Sequence, residues 1–344
     1  MKILIVDDSA LMRRQISKIF EDAGGFEVKT ARDGEEAVEM NLDFEPDVIT
    51  LDINMPKMDG LTALTHIMLT RKVPVIMLSS LTEKGAMATF EALALGAVDY
   101  VPKPDGTISL SIQQVADELL AKTKSAAGAR IRNTEQHKPS RSTIQTKKIM
   151  SSEQCEKIVI IGVSTGGPST LEVILPELPE NYPAPVVVAQ HMPAAFTKTF
   201  AKRLDSICRM SVVEVSKPQI LHPGTIYIAK GGADISITKR SGKKMAVPKP
   251  ESPKYLWHPS VELLGLTTLE VYEPENITAV LLTGMGNDGS DSFMEIKNKG
   301  GKTIAEAEET AVVFGMPKEL IEQNGASLIL PADKIGPQLR RLTL

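Results

Sequence analysis

Cysteine is scarce in this sequence: Cys155 and Cys208 are the two among 344 residues. Two thiols cannot make a disulfide framework, and these show no metal-ligand spacing, so each is expected to be structural, in a reducing compartment such as the cytoplasm. Excess charge of one sign is lacking too. The 39 Lys and Arg against 43 Asp and Glu leave a net charge of -4, which gives no reason to expect nucleic acid or an anionic membrane as a partner. Long apolar runs are also missing. The start, Met1 to Asp8, holds four apolar residues in a row before Asp7 and Asp8, too few for the apolar region of a signal peptide. No later stretch reaches the ~18 apolar residues of a membrane span.

What the chain has is length and alternation. It exceeds the roughly 250–300 residues at which one core stops growing, so two domains are expected. Short β-branched runs alternate with helix-period segments, which predicts βαβ units and parallel sheets. The strands expected in the first third are Ile3 to Val6, Phe26 to Thr30, Asp47 to Leu51, Val75 to Leu78 and Val98 to Val101. From Lys122 to Met150 the pattern fails: eight Lys or Arg against the single acid Glu135, a charge of +7 among Ser, Thr and Gln, predict a flexible basic linker. Without aromatics for base stacking, this segment reads as a solvated tether rather than a nucleic-acid site. Alternation resumes at Lys157, with strands expected at Ile158 to Ile161, Val186 to Ala189, Thr225 to Ala229 and Ala279 to Leu282. The domains are therefore set at residues 1–121 and 154–344, with a linker over 122–153.

Carboxylates end the first strands. Asp7 and Asp8 follow the first and Asp52 the third, on the sheet edge where ligands of open parallel sheets gather. Three acids so close repel unless a hard divalent cation sits among them, and Mg²⁺ suits oxygen ligands. Ser79 ends the fourth strand and Lys103 follows the fifth, supplying a hydroxyl and an ammonium to the same edge. An acyl phosphate on Asp52 needs that set: its own carboxylate, Mg²⁺ and fixed positive charge. Any one of these Asp residues alone would read as a turn or helix cap.

Residues 2 to about 121 resemble the receiver domain of response regulators, through Asp7-Asp8, Asp52 followed by Ile53-Asn54-Met55-Pro56-Lys57-Met58-Asp59-Gly60, Ser79, Tyr100 and Lys103-Pro104. The resemblance implies that Asp52 accepts a phosphoryl group, that Asp7 and Asp8 hold Mg²⁺ with Asp52 and the backbone carbonyl of Asn54, and that Ser79 and Tyr100 report phosphorylation, with Lys103 beside them.

The second constellation is Gly162-Val163-Ser164-Thr165-Gly166-Gly167-Pro168 after a predicted strand. Glycines on both sides of Ser164 permit a sharp strand-to-helix turn that lifts its hydroxyl clear, as in a nucleophile elbow. The other reading is a phosphate-cradling loop, but neither a Gly-Lys-Ser/Thr ending nor a ribose-binding acid at the usual distance follows. Among five histidines, His66 falls in a receiver helix, His137 in the linker, His222 in a turn and His258 in a loop. His191 alone follows an apolar strand to the edge where Ser164 is expected, a place for a general base. Asp288, in Gly284-Met285-Gly286-Asn287-Asp288-Gly289, reaches the same edge as an orienting acid or sits in a plain turn.

Residues from about 156 resemble the CheB methylesterase family, on Ser164-Thr165-Gly166-Gly167, Gln190-His191-Met192-Pro193, Pro223 to Ala229 and Leu282 to Gly289. That resemblance implies a doubly wound, Rossmann-like esterase domain behind a flavodoxin-like (βα)5 receiver. It implies Ser164 as nucleophile, His191 as base and Asp288 as orienting acid, with an oxyanion donor near Met285 and Thr165 as a neighbour. It further implies methylated receptor glutamates as substrate, methanol as product, glutamine deamidation in some members, no esterase cofactor, and a histidine kinase of the CheA type as phosphodonor. The chain departs from the family at Lys230-Gly231-Gly232-Ala233-Asp234, where a proline often precedes the glycines and a histidine follows. Two other readings stand beside this one. A general α/β-hydrolase order would use Ser164, Asp205 or Asp234, and His258. A DNA-binding output would need a basic helix-turn-helix, which the second half does not offer.

Overall fold

In a computed structural model, which describes residues 1–103, 108–129 and 156–343, the chain divides into two compact units, residues 1–136 and 137–344. In the first, five parallel strands, β1 (Lys2–Val6), β2 (Glu27–Ala31), β3 (Val48–Asp52), β4 (Val75–Ser79) and β5 (Asp99–Pro102), pair in the order β2-β1-β3-β4-β5. β3 and β4 are buried along their whole length, as a sheet covered on both faces requires. Helices α1 (Ala10–Ala23), α2 (Gly34–Asp43), α3 (Gly60–Thr70), α4 (Glu83–Leu95) and α5 (Ile108–Ala127) alternate with them. Four helix starts are written locally: Ser9, Asp33, Asp59 and Thr82 each accept a backbone N–H of the first turn. The order reverses between β1 and β3, and in open parallel sheets ligands bind at such a switch point, outside the carboxyl ends of the strands.

The linker prediction begins too early. α5 runs to Ala127, so Lys122 and Lys124 are helical. Lys122 lies 2.9 Å from Glu118 and 3.3 Å from Asp99, and donates to the Tyr100 carbonyl at 2.7 Å. Burial opposes its charge, but Asp99 and Glu118 outweigh burial and raise its pKa. A lysine so paired belongs to the receiver core, and composition alone could not reveal its partners. Residues 130–153 of the predicted linker, His137 among them, lie outside the described residues, as does Cys155.

In the second unit a parallel sheet has the order β15-β14-β13-β6-β7-β10-β8. Its strands are β6 (Ile158–Val163), β7 (Val186–Gln190), β8 (Ser211–Val215), β10 (Thr225–Ala229), β13 (Ile277–Leu281), β14 (Lys302–Glu306) and β15 (Leu328–Leu330). A separate antiparallel sheet joins β9 (Gln219–Ile220), β11 (Asp234–Arg240) and β12 (Lys243–Lys249) in the order β11-β12-β9. Helices α6 (Gly167–Ile174), α7 (Ala194–Ile207), α8 (Val261–Leu269), α9 (Ser290–Asn298), α10 (Met316–Glu322) and α11 (Ala332–Thr343) complete the unit. All of β6, β7 and β13 is buried, and Ile160, Val187, Ala279 and Phe293 belong to one core. The expected strands at 158, 186, 225 and 279 are present. No alternation announced the antiparallel sheet, whose β11–β12 turn is flanked by Lys239, Arg240, Lys243 and Lys244.

Candidate functional site

Two groups of side chains collect at carboxyl ends of strands, one in each unit. In the first unit, Asp7 follows β1 with no exposure and Asp52 ends β3, also buried, while Asp8 is exposed. Carboxylate oxygens of the three lie within 4.8 Å of one another. Lys103 Nζ sits 2.8 Å from both Asp7 Oδ2 and Asp52 Oδ2. Burial pushes the Asp52 carboxyl up; Lys103 pulls it back, and Asp7 adds repulsion. Burial lowers the pKa of Lys103, but Asp52 and Asp7 together leave it raised. Three carboxylates against one ammonium leave a negative, all-oxygen donor set of the kind a hard divalent cation takes.

The loop after β3 folds back over Asp52: Gly60 N–H donates to Ile53 O at 2.9 Å, and a Cβ on Gly60 would lie 2.0 Å from the Asp52 carbonyl. Asn54 is exposed on that loop. Ser79 Oγ donates to the Gly85 carbonyl at 3.2 Å and accepts from Thr89 Oγ1 at 2.6 Å, so its hydroxyl is tied to α4. Tyr100 is buried, and that burial, with Asp99 and Glu118 nearby, holds its phenol well above the ordinary tyrosine value.

In the second unit the register brings the chemistry together. Val163 at the end of β6 pairs with Gln190 at the end of β7, so the next residues, Ser164 and His191, leave neighbouring strands side by side. His191 N–H donates to Val163 O at 3.0 Å, Ser164 N–H to Thr283 O at 2.9 Å, and Gln190 Nε2 to Ser164 O at 2.9 Å. The turn needs its glycines. Gly166 has φ 76°, and a Cβ on Gly167 would meet Gln190 Oε1 at 2.1 Å. On the other side of β6, β13 leads into residues 282–289, and Gly284 lies so close that a Cβ there would stand 2.6 Å from Ser164 Cβ.

That loop delivers Asp288. Its Oδ2 lies 2.8 Å from His191 Nε2 and accepts Val261 N–H at 2.7 Å. Its Oδ1 accepts Glu262 N–H at 2.9 Å and the Ser260 hydroxyl at 3.3 Å. The carboxylate thus sits on the amino end of α8, where the helix dipole favours negative charge. A carboxylate only accepts, so His191 carries its proton on Nε2 and bares the lone pair of Nδ1. Nδ1 is buried without a hydrogen-bond partner. Relative to the common serine-hydrolase arrangement, in which Nδ1 faces the acid, the two ring nitrogens have exchanged places.

Ser164, His191 and the loop of Asp288 thus leave three adjacent strands, β6, β7 and β13. Asp234 and His258 form a pair at 2.8 Å, but the histidine beside Ser164 is His191. Asp205 accepts Val212 N–H at 2.9 Å between α7 and β8. His222 N–H donates to Tyr227 Oη, His66 is exposed on α3, and Cys208 is buried. Thr165 is buried with its carbonyl accepting Thr283 Oγ1 at 2.8 Å, and Met285 is partly exposed in the loop against Ser164.

Three supports escaped sequence reasoning. Trp257 stacks on the His191 ring, centroids 6.0 Å apart and 7° from parallel. Ser260 joins Asp288, and buried Glu306 accepts Thr283 N–H at 2.9 Å. Ser260 carried a signal, a serine immediately before the apolar helical run that starts at Val261; the others act through space and had none.

Residues 159–339 match the CheB methylesterase family and residues 3–112 the response regulator receiver domain. A protein-glutamate methylesterase/protein-glutamine glutaminase of Rhodospirillum rubrum is 51% identical, covering 98% of this chain and 95% of its own. One from Archaeoglobus fulgidus is 43% identical over 99% of this chain and 97% of its own. Among solved structures, the CheB methylesterase catalytic domain of Thermotoga maritima is similar with a TM-score of 0.52 and 44% identity, covering 54% of this chain and 98% of its own. No helix among the described residues is long and apolar enough to cross a membrane.

Proposed function

Because the chain belongs to the CheB methylesterase family and joins that domain to a response regulator receiver domain, we propose that it hydrolyses glutamate methyl esters of chemoreceptors through Ser164, His191 and Asp288, under control of phosphorylation at Asp52. Its activity is that of a protein-glutamate methylesterase and protein-glutamine glutaminase. The observation that carries the site assignment is the 2.8 Å contact of Asp288 with His191 Nε2, which leaves Nδ1 bare on the ring beside Ser164.

Ser164 Oγ attacks the ester carbonyl while His191 Nδ1 takes its proton; the imidazolium that forms is stabilised by Asp288. Collapse of the tetrahedral intermediate passes that proton to the leaving methoxide, and methanol departs. Water, deprotonated by the same nitrogen, then releases the glutamate carboxylate. With glutamine the leaving group is ammonia. The backbone near Met285 supplies the oxyanion donor and Thr165 lines the site.

In the receiver, Asp52 is the phosphoryl acceptor, a histidine kinase of the CheA type is the donor, and the reading places the protein in the cytoplasm. Asp7, Asp8, Asp52 and the Asn54 carbonyl would hold Mg²⁺, whose charge offsets that of the phosphoryl oxygens. Lys103 bridges toward those oxygens, and Ser79 and Tyr100 carry the response to the helices around them.

Methanol release from methylated receptor membranes tests the reading. Ser164→Ala and His191→Ala should nearly abolish it. Phosphodonor should raise the rate of the wild type and leave Asp52→Ala unchanged. A folded Ser164→Ala protein with substantial activity overturns the nucleophile, and a base- and hydroxylamine-labile phosphoryl label retained by Asp52→Ala at wild-type stoichiometry overturns the acceptor.

A further inference from the structure

Asp234 and His258 are drawn together by the fold and take no part in the chemistry above. Asp234 opens β11 with its side chain fully buried. Its Oδ2 accepts Ser252 N–H at 2.9 Å, and its Oδ1 accepts both Ser260 N–H at 2.9 Å and His258 Nδ1 at 2.8 Å. One carboxylate therefore ties down residues 252, 258 and 260, both ends of the segment between β12 and α8.

What lies on that segment touches the triad twice. Trp257 stacks on the His191 ring, and its other neighbour is Gly286 in the loop of Asp288, where a Cβ would meet the indole at 2.6 Å. Ser260, Val261 and Glu262 supply three of the donors on Asp288. The turn that leads into Asp234 lies against the loop of His191, where a Cβ on Gly231 would stand 2.1 Å from the Met192 carbonyl. Gly231 N–H also donates to Thr197 Oγ1 at 3.3 Å.

We propose that Asp234 and His258 are positioning residues of the esterase site, bracing residues 252–260 so that Trp257 holds the His191 ring and Ser260 to Glu262 hold Asp288. The proposal rests on the triad assignment. A buried carboxylate with three donors is satisfied, and removing one donor frees one attachment of the segment rather than the fold. A triad displaced by an ångström loses turnover with little change in substrate affinity.

The test uses the full chain, phosphodonor and methylated receptor membranes. His258→Leu should lower kcat by about 10- to 100-fold, the scale of a small misplacement, with KM nearly unchanged. His258→Asn, whose amide can donate from near the position of Nδ1, should restore the rate. Trp257 is the sequence's single tryptophan, so time-resolved fluorescence anisotropy reports this segment alone; faster local motion is expected in His258→Leu and wild-type motion in His258→Asn. Asp234→Ala should act like His258→Leu or more severely, and if it fails to fold the His258 pair decides.

Wild-type kcat, or wild-type anisotropy, in His258→Leu overturns the brace. His191→Ala is assayed beside it: a folded, active His191→Ala protein overturns the triad, whereas an inactive one with a fully active His258→Leu overturns the brace alone.

Discussion

Replacing Asp288 by Asn separates geometry from charge, and its outcome can be worked from the contacts. An amide has one acceptor end. With its nitrogen in the place of Oδ2 it would confront both the His191 Nε2 proton at 2.8 Å and Val261 N–H at 2.7 Å. With its nitrogen in the place of Oδ1 it confronts only Glu262 N–H, because the Ser260 hydroxyl can turn and accept. The second orientation has one fewer donor–donor conflict, so the carbonyl stays on His191 and the tautomer survives. One buried N–H loses its acceptor, at a cost of about 1–3 kcal/mol in stability. The loss to catalysis is electrostatic. As His191 becomes an imidazolium it faces a dipole where a full charge stood, and two unit charges about 4 Å apart gain ~4 kcal/mol at an effective dielectric of 20. With part recovered by the dipole, turnover should fall by about 10²–10³ at 1.36 kcal/mol per tenfold. Because the interaction exists only once the proton has moved, kcat and kcat/KM should fall together. Methanol release and denaturant unfolding of the same protein check both numbers. A folded Asp288→Asn enzyme within about tenfold of the wild type, or one whose loss lies in KM, refutes the reasoning.

Two further predictions follow from burial. Tyr100 has its phenol held well above its ordinary value by burial, so above the unfolded value of about 10 the unfolded chain releases a proton that the native one keeps, and stability falls as pH rises. Denaturant unfolding between about pH 9 and 11 should show that fall, and Tyr100→Phe should flatten it; equal slopes would remove this residue from the balance. Gly167→Ala would push its Cβ into Gln190 Oε1, whose side chain bridges the Ser164 and His191 carbonyls at 2.9 and 3.0 Å. About 1–3 kcal/mol of stability should be lost, with a drop in methanol release, and a protein of wild-type midpoint would show the glycine to be dispensable.

Much of this was legible because the chemistry sits where strands end. β-branched runs followed by Asp7, Asp52, Ser79, Ser164 or His191 put the residue type and its place in the fold in the same few letters, and parallel pairing did the rest. What stayed hidden is what acts across the chain. Lys122 looked like one more linker lysine until Asp99 and Glu118 were beside it. β11 and β12 were not among the expected strands, because Lys and Arg at their ends dilute a short apolar run that takes its meaning from its partner strand. Asp234 was noticed as a rival to Asp288 and as the end of a segment that departs from the family, not as a support of the site.

That rivalry follows from the chemistry of a buried carboxylate, which must gather donors and so resembles a catalytic acid wherever it lies. Asp234 and Asp288 each hold a histidine at 2.8 Å and two or more backbone or hydroxyl donors, and both bind Ser260, one through its N–H and the other through its Oγ. Hydrogen-bond count cannot rank them. Strand order does: β13, β6 and β7 are adjacent, so the residues leaving their ends meet, and Asp288, Ser164 and His191 leave those three. Asp234 begins β11, in the other sheet, and its own contacts reach the site through residues 252–260. On the proposed triad, the acid on the central strands stabilises charge on His191 directly, while the acid on the antiparallel sheet acts by fixing the backbone and the indole beside it.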